Sequence, residues 1–478
     1  MPLAIPLSEN GGPLSKQIHR WLRRAVLAGN LTPGERLPST RDLAEQLGVS
    51  RTVTVWAYDQ LLAEGYVEGR AGSGTYISAS LEAVRFRRIE SPAKLRLSRF
   101  GLFASSMPAE VDSPGPARMP VRYDFAYGRS AVDDFPFETW RRLLIRRMRK
   151  APVRTLDYGS SQGVPQLREA IATHLRRSRG VVCETSQILI LNGSQQALDL
   201  AARVLMEPGE TVAMEDPQYQ GTREILRASG ARILPVPVDG DGLQTAELPE
   251  RARLAFVTPS HQFPTGTVLS LARRLALLDW AKRVDAVVIE DDYDGEFRYE
   301  GQSVESLQGL DSEGRVIYVG TFSRTIFPAL RIGYLIAPKS LVRPFTVAKW
   351  LCDRHTPTLE QETLADFIAT GGYERHLRRV RRENTLRRAA LLEAISDCLS
   401  DRVEVTGESS GTHVVLWPKK RCSEAGVIAR AAAQGVGVYG IAGYFLGIPS
   451  RAGLIIGYSR TKVRDIREGI RRLAKVIP

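Results

Sequence analysis

The chain has 478 residues, 43% hydrophobic and 25% charged, with a formal net charge of +13. That length suits two or three domains, and the composition excludes a disordered, fibrous or disulfide-built protein. The positive balance points to a polyanionic partner, while apolar stretches broken by charge before about 18 residues exclude a membrane span.

The first residues, Met1-Pro2-Leu3-Ala4-Ile5-Pro6, lack the basic start and apolar core of a signal peptide. Cys183, Cys352, Cys398 and Cys422 are widely spaced and form no CxxC pair. They read as reduced thiols of a cytoplasmic protein, not as disulfides or metal ligands.

Residues 1–78 carry 8 Lys/Arg against 7 Asp/Glu, so this segment is nearly neutral. Leu14, Ile18, Trp21, Leu22, Ala25 and Val26 recur at helical spacing and predict a core-facing helix. Leu31-Thr32-Pro33-Gly34 breaks the chain. A short helix follows, capped by Ser39 and carrying Leu43, Ala44 and Leu47; Gly48-Val49 forms a turn. Ser50 is expected to cap the next helix, which runs to about Glu64 with Val53, Ala57 and Leu61 inward. Two short helices about a glycine turn are a helix-turn-helix signature. The alternating run from Gly65 to Ile77, with Gly72-Ser73-Gly74 at its tip, predicts a β-wing.

Leu37-Pro38-Ser39-Thr40-Arg41, Leu47-Gly48-Val49-Ser50-Arg51-Thr52, Glu64-Gly65-Tyr66 and Gly72-Ser73-Gly74-Thr75 together resemble the winged-helix domain of GntR-type bacterial regulators. The resemblance implies binding to double-stranded promoter DNA. Arg51 is placed to meet guanine or phosphate in the major groove. Ser50, Thr52 and Thr54 are expected to bond phosphates or base edges. Arg41 and Arg70 are placed for backbone contacts, and the Gly72 tip for close approach to the minor groove.

Residues 79–120 hold few periodic apolar positions and many Arg, Ser and Pro, including Arg85-Phe86-Arg87-Arg88 and Ser113-Pro114-Gly115-Pro116. They read as a linker. From 121 to 478, apolar strands alternate with amphipathic helices, which predicts a mainly parallel α/β sheet.

Several motifs fall at strand ends, where open α/β sheets bind ligands. Ile188-Leu189-Ile190-Leu191 runs into Asn192-Gly193-Ser194-Gln195-Gln196, a helix start suited to an anion through its amides and the Ser194 hydroxyl, with Gln195 beside it. Asp216-Pro217-Gln218-Tyr219 places an aromatic side chain to lie on a planar ring. Glu290-Asp291-Asp292-Tyr293-Asp294 offers a carboxylate for a protonated ring nitrogen. Asp291 is the expected one and Asp292 the competitor, with Tyr293 donating to a ring hydroxyl. Without histidine or a second acidic cluster the run does not read as a metal site. Gly320-Thr321-Phe322-Ser323-Arg324 follows another strand, and Thr321, Ser323 and Arg331 could hold a phosphate, Arg331 through its fork.

The run Gly320–Gly333 resembles the lysine loop of fold-type-I pyridoxal-phosphate (PLP) proteins. His261-Gln262-Phe263-Pro264-Thr265-Gly266 is similar to the NPTG loop of aminotransferases, with Phe263 for asparagine. In that form, and with Tyr158-Gly159-Ser160-Ser161-Gln162-Gly163, the chain resembles MocR-type regulators, which join a GntR-like winged helix to an aminotransferase-like domain. The resemblance covers nearly the whole chain. It implies a homodimer, often head-to-tail, in which Tyr158 reaches the phosphate at the partner's site, and a small-molecule effector.

Two positions depart from the family. Arg324 stands where relatives carry the lysine that forms a Schiff base with PLP, and a guanidinium cannot do so. Ile455, in Leu454-Ile455-Ile456-Gly457, stands where relatives carry an arginine for the substrate carboxylate; Arg451 and Arg460 are the nearby substitutes. The expectation is a non-enzymatic sensor holding PLP or a related ligand non-covalently, with Arg324 in the pocket. The alternatives are a ligand-free dimerisation scaffold and an active aminotransferase. The arginine-dense stretch Arg375–Arg388 reads as a solvated or interface helix, or as a second contact with DNA backbone.

Overall fold

The computed structural model describes residues 3–8, 10–83, 96–108, 119–128, 130–299, 304–449 and 451–478. The linker runs at 85–88 and 113–116 lie outside them. The chain divides into two compact units, residues 1–96 and 97–478.

In the first unit, α1 (Leu14–Leu27), α2 (Thr40–Leu47) and α3 (Arg51–Ala63) precede a hairpin of β1 (Val67–Arg70) and β2 (Gly74–Ile77). Most of the predicted stripe packs as read: Ile18, Leu22, Ala25 and Val26 meet Leu43, Ala57, Leu61, Val67 and Ile77 in one core, with Trp21 partly buried against it, whereas Leu14 is exposed. Ser39 caps α2 by accepting from the Asp42 amide at 3.1 Å. Gly48 closes that helix with φ +65°, a left-handed geometry that only glycine takes without strain. Ser50 differs from expectation: it stands at the N-cap of α3, but its side chain caps nothing.

The second unit begins inside the expected linker with α4 (Arg99–Ser106), whose Phe103 ring lies under Arg227 at 5.8 Å. β3 (Tyr123–Asp124) and α5 (Phe137–Lys150) lead to α6 (Pro165–Arg179). Strands and helices then alternate: β4 (Ile188–Leu191), α7 (Ser194–Leu205), β5 (Thr211–Asp216), α8 (Gln220–Ala228), β6 (Arg232–Asp239), β7 (Gly242–Leu243), β8 (Leu254–Val257), α9 (Leu271–Val284), β9 (Val287–Asp292), α10 (Leu307–Leu310), β10 (Val316–Thr321) and β11 (Gly333–Ile336). These strands form one eight-stranded sheet in the order β4-β11-β10-β9-β8-β5-β6-β7. Pairing is parallel from β10 through β6; β11 and β7 run antiparallel to their neighbours.

The sheet is buried on both faces, which is why β4 and β8 read as unbroken apolar runs. Two apolar clusters cover its faces around α7 and α9, and a third joins it to α6. After β11 come α11 (Val342–Asp353), α12 (Thr358–Ala369) and the long α13 (Gly372–Leu399). The chain ends in β12 (Val403–Thr406), β13 (His413–Pro418), α14 (Glu424–Ala433), β14 (Val436–Gly437), β15 (Tyr439–Gly440), β16 (Leu454–Gly457) and α15 (Val463–Leu473). There β12-β13-β16-β15 form an antiparallel sheet packed against α13 and α15. Among the described residues no helix is long and apolar enough to cross a membrane.

β4, β5, β8, β9 and β10 point the same way, and β11 begins at the same edge. The loops carrying Ser194, Tyr219, His261, Tyr293, Arg324 and Arg331 therefore gather along one rim of the sheet.

Candidate functional site

The winged-helix unit presents Arg41, Ser50, Arg51 and Thr52 as exposed residues at the starts of α2 and α3. The first turn of α3 holds no acid and no side-chain cap, so its amides add to the positive end of the helix. Thr54 corrects the expectation. It is fully buried, with Oγ1 2.7 Å from the Thr40 carbonyl and 2.9 Å from the Arg51 carbonyl. It ties α3 to the start of α2 and offers nothing to DNA, because its hydroxyl is spent on those two carbonyls and the start of α2 covers its side chain. Arg70 is exposed but occupied: its Nη2 is 2.9 Å from Glu68 and its guanidinium covers the Tyr76 ring at 4.4 Å. Gly72 sits at the hairpin tip with φ +70°, and a Cβ there would meet open space.

In the second unit β9 decides between the two aspartates. Successive strand side chains face opposite sides. Asp292 turns to the α6 side, where its Oδ2 accepts from Arg179 Nε at 2.7 Å and from the Tyr318 hydroxyl at 2.5 Å. Asp291 turns the other way, and its Oδ1 is buried without a hydrogen-bond partner. Burial, reinforced by Asp292 and only partly offset by Arg324, pushes the Asp291 carboxyl up to about 7. Glu215, buried under Thr258 and Gln262, is also pushed up to about 7.

Around Asp291 the rim loops interlock. Gln262 donates to the Pro217 carbonyl at 2.7 Å, joining the His261–Gly266 loop to the loop that carries Tyr219. The Tyr219 hydroxyl reaches Gln195 Oε1 at 3.5 Å. Tyr293 Oη lies 2.9 Å from His261 Nδ1, which is also 2.9 Å from Asp294. Phe263 fills the centre and meets Tyr219, Tyr293 and Tyr444 edge-on. Ile455, fully buried, belongs to the same aromatic cluster.

Arg324 enters this space from the turn after β10. Its guanidinium stands 5.9 Å from the Tyr293 ring and has no hydrogen bond or ion pair among the described residues. Gly128, with φ +78°, makes room for it: a Cβ there would lie 3.0 Å from Arg324 Nη1. The charge is felt by Tyr127, Tyr219, Tyr293 and Tyr444, in each opposing the upward push of burial on the hydroxyl.

Ser194 opens α7 behind Gly193, a cap without a side chain, so the first-turn amides are left for an anion. Arg331 Nη2 donates to the Asn192 carbonyl at 2.7 Å beside them. Thr321 Oγ1 and Ser323 Oγ lie 3.1 Å apart in the neighbouring turn. Tyr158 is outside this group: it is 81% exposed, against His355 and Arg354. The two substitutes for the missing carboxylate arginine are engaged elsewhere, Arg451 with Glu404 at 2.6 Å and Arg460 with Asp133 at 3.6 Å.

Sequence reasoning missed His261, Asp294, Tyr127 and Tyr444 as wall residues. His261 and Phe263 stood in a recognisable run, but no spacing rule joins His261 to Asp294, 33 residues on.

A winged helix followed by an aminotransferase fold defines the architecture of a DNA-binding regulator. Family models agree: "Bacterial regulatory proteins, gntR family" matches residues 14–77 and "Aminotransferase class I and II" matches residues 125–472. The "Probable rhizopine catabolism regulatory protein MocR" of Rhizobium meliloti is 39% identical over 96% of this chain and 93% of its own. The "HTH-type pyridoxine biosynthesis transcriptional regulator PdxR" of Corynebacterium glutamicum is 34% identical over 96% and 94%. Among solved structures, a multiple substrate aminotransferase from Thermococcus profundus aligns with a TM-score of 0.72 at 27% identity, covering 80% of this chain and 97% of its own. The chain belongs to the MocR-type regulators of the GntR family.

The rim residues fit the cofactor of that aminotransferase fold. An orphaned carboxyl oxygen on Asp291, aromatic walls and an uncapped helix start are the donors and acceptors a phosphorylated pyridine ring needs.

Proposed function

We propose that the protein is a promoter-binding transcriptional regulator whose aminotransferase-like domain reads PLP or a close relative without covalent attachment and without turnover. Arg324 carries this reading. It occupies the loop position of the Schiff-base lysine, keeps the charge and lacks the nucleophile. When bound, PLP would supply an electron-accepting ring and an aldehyde. Asp291 would hold the ring nitrogen, Tyr293 the ring hydroxyl and Tyr219 the ring face. Ser194, Gln195, Thr321, Ser323 and Arg331 would hold the phosphate. Tyr158, exposed in one chain, is available to a partner's site in a head-to-tail homodimer. Arg41, Ser50, Arg51, Thr52 and the Gly72 tip would meet the operator. Ligand binding would then bias the two DNA-binding modules between arrangements, which requires different affinity for each.

The test is a PLP titration of the purified protein, followed by borohydride reduction, beside Arg324→Lys. Saturable binding without covalent trapping, and trapping in the variant, is the expected result. A ligand-free scaffold is the second reading, favoured by Phe263 and Ile455, which replace polar groups with apolar bulk. It predicts no PLP binding by either protein and an operator affinity indifferent to PLP.

A further inference from the structure

Two charged groups share the pocket and do not satisfy each other. Asp291 is buried to 9% exposure with Oδ1 unpartnered. Arg324 has no hydrogen bond or ion pair among the described residues, although it is close enough to pull on the Asp291 carboxyl. The two form no ion pair, and the Tyr293 ring lies 5.9 Å from the Arg324 guanidinium. A partly buried guanidinium without acceptors and a buried carboxyl without a donor are both costly. An occupant that answers both must present a cation or donor to one and an acceptor to the other.

A guanidinium is a planar fork that is best answered by a bidentate oxyanion. On the reading above the ligand's phosphate is already held by the helix start at Ser194 with Gln195, Thr321, Ser323 and Arg331, so Arg324 is left for another group of the ligand. An aldehyde presents one weak acceptor to the fork. A protonated amine presents none and is repelled. A carboxylate matches in charge, plane and spacing.

We infer that the pocket selects a phosphorylated, protonated ring whose substituent facing Arg324 bears a carboxylate, rather than the aldehyde or amine form of the cofactor. This rests on the ring-binding reading above and names its ligand class. The carboxylate has two chemical sources. It can sit directly on the ring, as in 4-pyridoxic acid 5'-phosphate, or belong to an amino acid joined to the ring's arm. The substitution of lysine by arginine then exchanges a bond-forming amine for an acid-recognising fork, and the lost carboxylate arginine at Ile455 is not needed, since recognition has moved across the pocket.

The experiment is isothermal titration of the full-length protein with five probes: 4-pyridoxic acid 5'-phosphate, N-(5'-phosphopyridoxyl)-L-leucine, pyridoxal 5'-phosphate, pyridoxamine 5'-phosphate and inorganic phosphate. Each is repeated on Arg324→Gln and Arg324→Lys, with circular dichroism and operator binding as controls for folding. At least one carboxylated probe should bind about tenfold or more tighter than the aldehyde and amine forms. The first probe winning assigns the acid to the ring, and the second assigns it to a joined amino acid. In Arg324→Gln that preference should fall to about onefold. Arg324→Lys should keep part of it through charge alone. A wild-type preference for the aldehyde or amine form, or a preference that survives Arg324→Gln, overturns the inference while leaving the ring-binding reading intact. Failure of every ring probe, with DNA binding preserved, overturns both.

Discussion

Replacing Asp291 by asparagine should make the unliganded protein more stable, and increasingly so as pH rises. The carboxyl ionises near 3.8 when free and near 7 in the folded chain. Its folded pKa is raised, so the folded state holds the proton more tightly. The stability this lends is complete below about pH 4 and is lost as pH climbs through about 7. Each tenfold difference in proton affinity between the folded and unfolded chain is worth about 1.4 kcal/mol. At pH 8 the wild-type carboxylate therefore costs roughly 4 kcal/mol relative to a neutral group, and at pH 5 about 2 kcal/mol. Asparagine brings a buried amide of its own, so a gain of about 2 kcal/mol at pH 8 is a fair lower figure. Urea unfolding of wild type and Asp291→Asn at pH 5 and pH 8, followed by tryptophan fluorescence, measures it. A ligand with a protonated ring nitrogen should stabilise wild type more than the variant at pH 8, because it neutralises the same charge. Equal stabilities at pH 8, or a gain identical at both pH values, would refute the reasoning that Asp291 is a desolvated, unpartnered acid.

Thr54→Val removes a hydroxyl that sits against two carbonyls in the winged helix. It should lower the stability of that unit by about 1–3 kcal/mol without changing base preference at a temperature where the unit remains folded; lost affinity with unchanged thermal stability would restore Thr54 as a DNA contact. Arg51→Ala, on an exposed residue at the start of α3, should weaken operator binding by about 1–3 kcal/mol and reduce its salt dependence, read by fluorescence anisotropy at several ionic strengths. On α13, Arg378 and Arg379 are exposed and without hydrogen-bond or ion-pair partners among the described residues. If this face also meets DNA backbone, Arg378→Gln with Arg379→Gln flattens the salt slope by up to about two phosphate contacts; an unchanged slope leaves it a solvated helix.

Much of this protein is written locally. Helical spacing at Ile18, Leu22 and Val26, the cap at Ser39, the turn at Gly48 and the unbroken apolar strand at Ile188 follow from periodicity and backbone preference, which short windows carry. So does the decisive chemistry at position 324, since a guanidinium is no nucleophile in any fold. Other matters needed the tertiary structure. Adjacent strand residues face opposite ways, but only the Arg179–Tyr318 side shows which of Asp291 and Asp292 is turned from the pocket. Thr54 lies near the expected DNA face in sequence and inside the core in space, because helix rotation and the docking of α2 set which side is wet. α4 was hidden in a stretch with little periodicity and gains its footing from Arg227, 124 residues after Phe103. The sequence by itself determined which elements form and what each side chain is able to do; the packing of distant segments decided which of them face one another, because burial and partnering are properties of the assembled core and not of any window along the chain.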